Sequence, residues 1–144
     1  MIGTAWPGLA EVSGLLAQAE AVTVALSPSG AATGMAIAEE LIADLSGASV
    51  DSTILIPDRA IVLGVSTRTV TAITGATAYD CGIDGEPAMF GGTLGIAAGA
   101  VNIGVIGPRA FYADTPVRLT ASGGSFTVGA VRIAVHYLSC GAPA

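Results

Sequence analysis

The chain has 144 residues, 52% of them hydrophobic, only 11% charged and 5% aromatic, with a formal net charge of −6. That length predicts one domain with a real core, and so few charges, against the usual quarter of a globular chain, mean a surface built from Ser, Thr, Gly and Ala or covered by partners. No lysine occurs, which argues against a surface that tracks nucleic-acid phosphates.

The front of the chain, MIGTAWPGLAEVSGLLAQAEA, lacks the basic n-region of a signal peptide. Between Pro7 and Ala19, Leu9, Val12, Leu15 and Leu16 recur at helical spacing, with Pro7 near the first turn and Thr4 upstream as a cap, so the pattern predicts a short amphipathic helix. SPSGAATG, residues 27–34, reads as a linker. Residues 35–49 are ambiguous: Ala38, Leu41, Ile42 and Leu45 suit a helix, and the following Ser and Gly suit the start of a sheet.

From Asp51 onward, short branched-aliphatic runs are separated by Gly, Pro, Asp and Ser. In ILIPDRAIVLGV, residues 54–65, Pro57 fits neither a helix interior nor a central strand. Two strands joined at Pro57–Arg59 are therefore expected, with Asp58 and Arg59 as turn residues and an ion pair. VSTRTVTAIT alternates small polar and β-branched residues, and TPVRLTAS puts Val117 and Leu119 on one side. In the last strand Val131, Ile133, Val135 and Tyr137 share one face, and Arg132, Ala134, His136 and Leu138 the other. The sequence thus predicts a mainly β domain, an antiparallel β-sandwich of jelly-roll type with a short N-terminal helix. The division is a docking segment at 1–37 and a sandwich at 38–144.

Chemical motifs are sparse. The glycine-rich stretch 91–107 has neither G-K-[ST] nor G-x-G-x-x-G, so no nucleotide or other cofactor is expected. The uncharged run 87–108 is long enough to cross a membrane but is broken by glycines and Asn102, and membrane insertion is not expected. Cys81 and Cys140 are too few for a disulfide framework and lack zinc-site spacing; both are expected as buried free thiols. His136 is the single histidine, so no multi-histidine metal site fits within one chain, and only an oligomer axis could gather copies of it. No serine sits in a G-x-S-x-G elbow. Asp80, Asp84, Glu86 and Asp114 could supply a glycosidase carboxylate pair, but as turn residues they read first as solvated acids, and no enzyme is expected.

Two segments, YDCGIDGEP and RAFYADTP, combine aromatic rings with carboxylates, the types that stack on a pyranose and hydrogen-bond its hydroxyls. The candidate glycan contacts are Tyr112, Asp84, Asp114 and Tyr79, with core packing as the competing role for Tyr79 and Phe111.

IPDRAIVLGV, ITGAT, DCGI, PVRLTA and GAVRIAVHYL, taken together over about residues 38–140, resemble a C-terminal domain of uncharacterised function in alphaproteobacterial phages and gene transfer agents. There it ends tail-fibre-like or head-spike-like proteins. The resemblance implies that residues 38–45 lead into the sandwich as a strand, and that the chain is a virion surface protein contacting host-surface polysaccharide. With only about 37 residues ahead of the domain, a self-contained spike or decoration unit is expected. Residues 1–52 hold six acids and no base, which favours docking through the front segment on a basic or polar virion protein. The apolar, charge-poor surface favours a homo-oligomer, read as a trimer. The competing readings are a capsid cement protein without a receptor and a polysaccharide depolymerase.

Overall fold

The computed structural model describes residues 17–144. Ten strands form two antiparallel sheets, and no helix occurs among the described residues. The first sheet runs β1 (Ala17–Leu26), β2 (Ala32–Ile42), β10 (Val128–Cys140) and β4 (Ile61–Thr74). Its far edge is shared by β7 (Val101–Asn102) and β8 (Val105–Ala110), which pair with successive parts of β4. The second sheet runs β3 (Ser49–Ile56), β9 (Thr115–Ser122), β5 (Ala78–Ile83) and β6 (Glu86–Leu94).

Period-two alternation explains the core. Along β10, Val131, Ile133 and Val135 point inward and are fully buried, while Arg132 is exposed and His136 half-buried on the other face. Val117 and Leu119 of β9 meet them from the second sheet, with Ile56, Val62, Val65, Tyr79 and Phe90 filling the space between. Branched side chains at every second position suit a pleated surface with one dry face.

Pro57 interrupts the aliphatic run because the chain changes sheets there. β3 ends at Ile56 and β4 starts at Ile61 in the opposite layer, with the Ala60 amide donating to the Pro57 carbonyl at 3.1 Å. Proline at the turn leaves no ladder bond unmade. Arg59 takes a left-handed conformation with φ 69°, and its pair with Asp58 spans 4.0 Å in the open, so it contributes little.

The described part of the front, residues 17–37, differs from the expectation. Residues 9–16, and with them Leu9, Val12, Leu15 and Leu16, lie outside the described residues; Ala17–Ala19, the end of the expected helix, belong to β1. Only Ser27–Ala31 of the expected linker connects elements, and it is the tight turn of the β1–β2 hairpin. The Ser27 amide donates to the Ala31 carbonyl at 2.8 Å, the Ala31 amide to Ser27 Oγ at 2.9 Å, and Gly30 supplies φ 91°. Residues 32–37, grouped by sequence with the docking segment, form the first half of β2. The ambiguous stretch 38–45 continues that strand to Ile42, as the resemblance implied. Local spacing left this stretch open because the decision is made by pairing: β2 bonds on both sides, with β1 and β10, and tertiary pairing overrides local propensity.

Candidate surface site

Three connections meet at one end of the sandwich: 57–60 between β3 and β4, 84–85 between β5 and β6, and 111–114 between β8 and β9. Strand register brings them together, since Ile56 pairs with Thr115, Gly82 with Arg118, and Ile61 with Ala110. Asp114 Oδ1 accepts the Asp58 amide at 2.9 Å, and the Phe111 amide donates to the Ala60 carbonyl at 2.9 Å, so two of the connections are laced to each other.

Ion pairs complete the frame. Arg118 of β9 donates from Nε to Asp51 Oδ1 at 2.7 Å, from Nη2 to Asp51 Oδ2 at 3.1 Å, and from Nη1 to Asp84 Oδ1 at 3.0 Å. The guanidinium's hydrogen bond holds the Asp51 carboxyl below its ordinary range, against a smaller opposing effect of partial burial. Arg109 Nη1 donates to Glu86 Oε2 at 2.7 Å, and its guanidinium lies over the Phe111 ring, 5.4 Å from the centroid.

The candidate glycan contacts separate into two groups. Tyr112 is 80% exposed, and Asp84 and Asp114 stand on the same end of the molecule, each with one carboxylate oxygen already engaged, by Arg118 and by the Asp58 amide. Tyr79 is instead 1% exposed in the core, its hydroxyl donates to Thr67 Oγ1 at 3.1 Å, and burial raises its pKa. An aromatic at the second position of an inward-facing strand packs inside whatever polar residues flank it. Phe111 is buried too, and Asp80 Oδ1 is occupied by the Thr93 amide at 2.8 Å.

Sequence reasoning missed two features. Arg118 joins two of the acidic positions at this end, but it is reached only through β3–β9–β5 pairing. The outer face of the first sheet carries a concavity of about 720 Å³ over Val22, Val24, Met35, Ile37, Leu63 and His136. The alternation in AVTVAL, residues 21–26, was the signal for it. His136 lies there with Nε2 3.0 Å from Ser66 Oγ. Among the described residues, no three His, Cys, Asp or Glu side chains gather as metal ligands. Cys81 is a buried free thiol as expected, its pKa pushed up to about 12 by burial. Cys140 is exposed instead, because β10 runs beyond the covered part of the sandwich there.

No protein-family model matches the chain, and no curated protein matches it. Among solved structures, it is similar to a chain of the capsid asymmetric unit of cyanophage Pam1, at 22% identity and a TM-score of 0.44, over 70% of this chain and 84% of that one. The two-sheet architecture stands on this chain's own strand pairing.

Proposed function

We propose that this chain is a non-enzymatic structural protein on the exterior of a tailed phage or gene-transfer-agent-like particle, with a jelly-roll body that assembles as a trimer. The strand order supports the jelly roll: β2-β10-β4 with β7 and β8 in one layer and β3-β9-β5-β6 in the other, with most successive strands changing layers. The observation that carries the structural role is a rigid, cross-braced body whose first sheet turns apolar side chains outward at both edges, a surface made to be covered by protein. The sequence resemblance over residues 38–140 supplies the particle, and the acidic front segment is its docking element.

Host-surface polysaccharide is the proposed contact of the loop end, through Tyr112, Asp84 and Asp114. One observation favours a cement protein without a receptor: Asp84 and Asp114 already serve Arg118 and the Asp58 amide, which leaves fewer fixed acceptors for a sugar. Two measurements test the reading. The chain should co-sediment with purified particles and be reached by antibody on intact ones; absence from the particle fraction contradicts it. Tyr112→Ala with Asp84→Ala should abolish retention on immobilised host polysaccharide, and chromatography should find the polysaccharide unshortened. Unaltered retention leaves the cement role, and shortened chains indicate a depolymerase.

A further inference from the structure

We propose that copies of this chain join edge to edge through two different surfaces of the same sheet, the β1 edge of one copy docking on the β7–β8 edge of the next. The inference stands on the two edges themselves and does not depend on the virion reading.

Both edges carry exposed apolar side chains. Among the described residues no strand pairs with the outer side of β1 or of β7 and β8. Val22 and Val24 of β1 are 61% and 59% exposed, and at the other edge Val101, Ile103 and Val105 are 62%, 72% and 76% exposed. Open strand edges are ordinarily protected by lysine, proline or a bulge that turns them away. β1 has a bulge between Thr23 and Ala25 but no proline and no lysine, and Glu20 is its charged residue; at the other edge β7 is two residues long and β8 carries Pro108, so protection there falls on the backbone and leaves the apolar side chains of Val101, Ile103 and Val105 uncovered.

Charge decides which edge meets which. Register places Glu20 beside Ile37, Ile37 beside His136, His136 beside Gly64, and Gly64 beside Val105, a single row across the outer face. Arg68 lies on that face beside Val101, with Arg132 directly opposite it on β10. Arg132 has Glu39 at 3.7 Å. Arg68 reaches only the Gly99 carbonyl, at 3.4 Å, and among the described residues neither it nor Glu20 has an oppositely charged partner within 4 Å. The β1 edge therefore presents an unmatched carboxylate, and β4, one strand in from the β7–β8 edge, an unmatched guanidinium on the same face. A two-fold contact of β1 with β1 would set acid near acid and leave Val101, Ile103 and Val105 in water. The heterologous contact covers both apolar rows and offers Glu20 to Arg68, and such contacts close into rings when the rotation between copies allows it.

Four full-length chains test this by light scattering, with circular dichroism melts to verify folding: wild type, Val22→Lys with Val24→Lys, Ile103→Lys with Val105→Lys, and the charge reversal Arg68→Glu. Wild type should be oligomeric and each lysine variant should fall to the mass of one chain while still melting cooperatively, at a midpoint lowered only by the lost association. Each lysine variant keeps one intact edge, so a mixture of the two should form a complex of one copy of each and nothing larger. Arg68→Glu should weaken assembly at least tenfold, and adding Glu20→Arg should restore it. A monomeric wild type, an oligomer that survives loss of either edge, or a mixture that stays monomeric would each overturn the proposal. If a lysine pair unfolds the chain, the charge reversal and its rescue decide alone, and absence of rescue overturns it.

Discussion

Glu40 and Thr53 are locked together across the two sheets. The Glu40 carboxylate on β2 is 7% exposed and accepts the Thr53 hydroxyl at 2.7 Å and the Thr53 amide at 2.9 Å, with the Ile54 amide also at 2.9 Å. These amides belong to the segment of β3 where the register with β9 shifts, between Asp51 and Leu55. An irregular strand leaves backbone donors without a ladder, and a buried donor without a partner is costly. Ser52 completes the repair, its Oγ accepting the Val117 amide at 2.9 Å and donating to the Ile54 carbonyl at 2.6 Å.

Glu40→Ala removes the acceptor for three part-buried donors, and the expected loss of stability is roughly 1–3 kcal/mol. Glu40→Gln keeps one acceptor oxygen and should lose less. Thermal or urea unfolding reads both, and an unchanged midpoint for the alanine variant would show that the interaction has no structural weight.

The Asp51–Arg118 pair should make stability depend on acid. Asp51 titrates below its ordinary range in the folded chain, so its contribution is fully present above the unfolded value, about pH 4, and is lost as pH falls through the lower folded value. Asp51→Asn should therefore flatten the acid limb of the stability profile and leave the neutral-to-alkaline part parallel to wild type. Parallel curves throughout would show that the pair is uncoupled from folding.

The two thiols should differ in reactivity. Cys140 is exposed, whereas Cys81 is sealed in the core with its pKa pushed up to about 12, and a thiol reagent acts on accessible thiolate. A chromogenic disulfide reagent at neutral pH should titrate one thiol promptly and the second only after denaturant is added. Prompt labelling of both would mean that the core around β5 opens readily.

Gly104 allows β7 and β8 to follow one another along β4. It takes φ 67°, its carbonyl receives the Val65 amide at 3.2 Å, and a Cβ there would run into the Val65 carbonyl oxygen. Gly104→Ala combines a disfavoured conformation with a backbone clash, and a loss of about 2 kcal/mol or more is expected. Gly107 has open space around it, so Gly107→Ala is the control and should leave unfolding nearly unchanged.

Much of the body was legible because burial repeats every second residue. Val117 with Leu119 and the Val131–Ile133–Val135 face could be assigned from alternation alone, and Pro57 marked a real change of sheet. Two kinds of feature were not legible. Residues 35–42 satisfy helical and strand spacing alike, and the choice is made by pairing of β2 with a strand about 100 residues away. The surface site depends on neighbours that only topology supplies: Arg118 beside Asp51 and Asp84, and Tyr79 turned inward although Asp80 follows it in sequence.

A three-dimensional reconstruction of intact phage-like particles decides whether this chain has the proposed structural role on their outside. The two-sheet body should fit density on the outer surface, copies touching through β1 and through β7–β8, with the 57–60, 84–85 and 111–114 loops directed away from the contact with the particle. Particles whose outer density is fully explained by other proteins, with this chain absent from them, would contradict it.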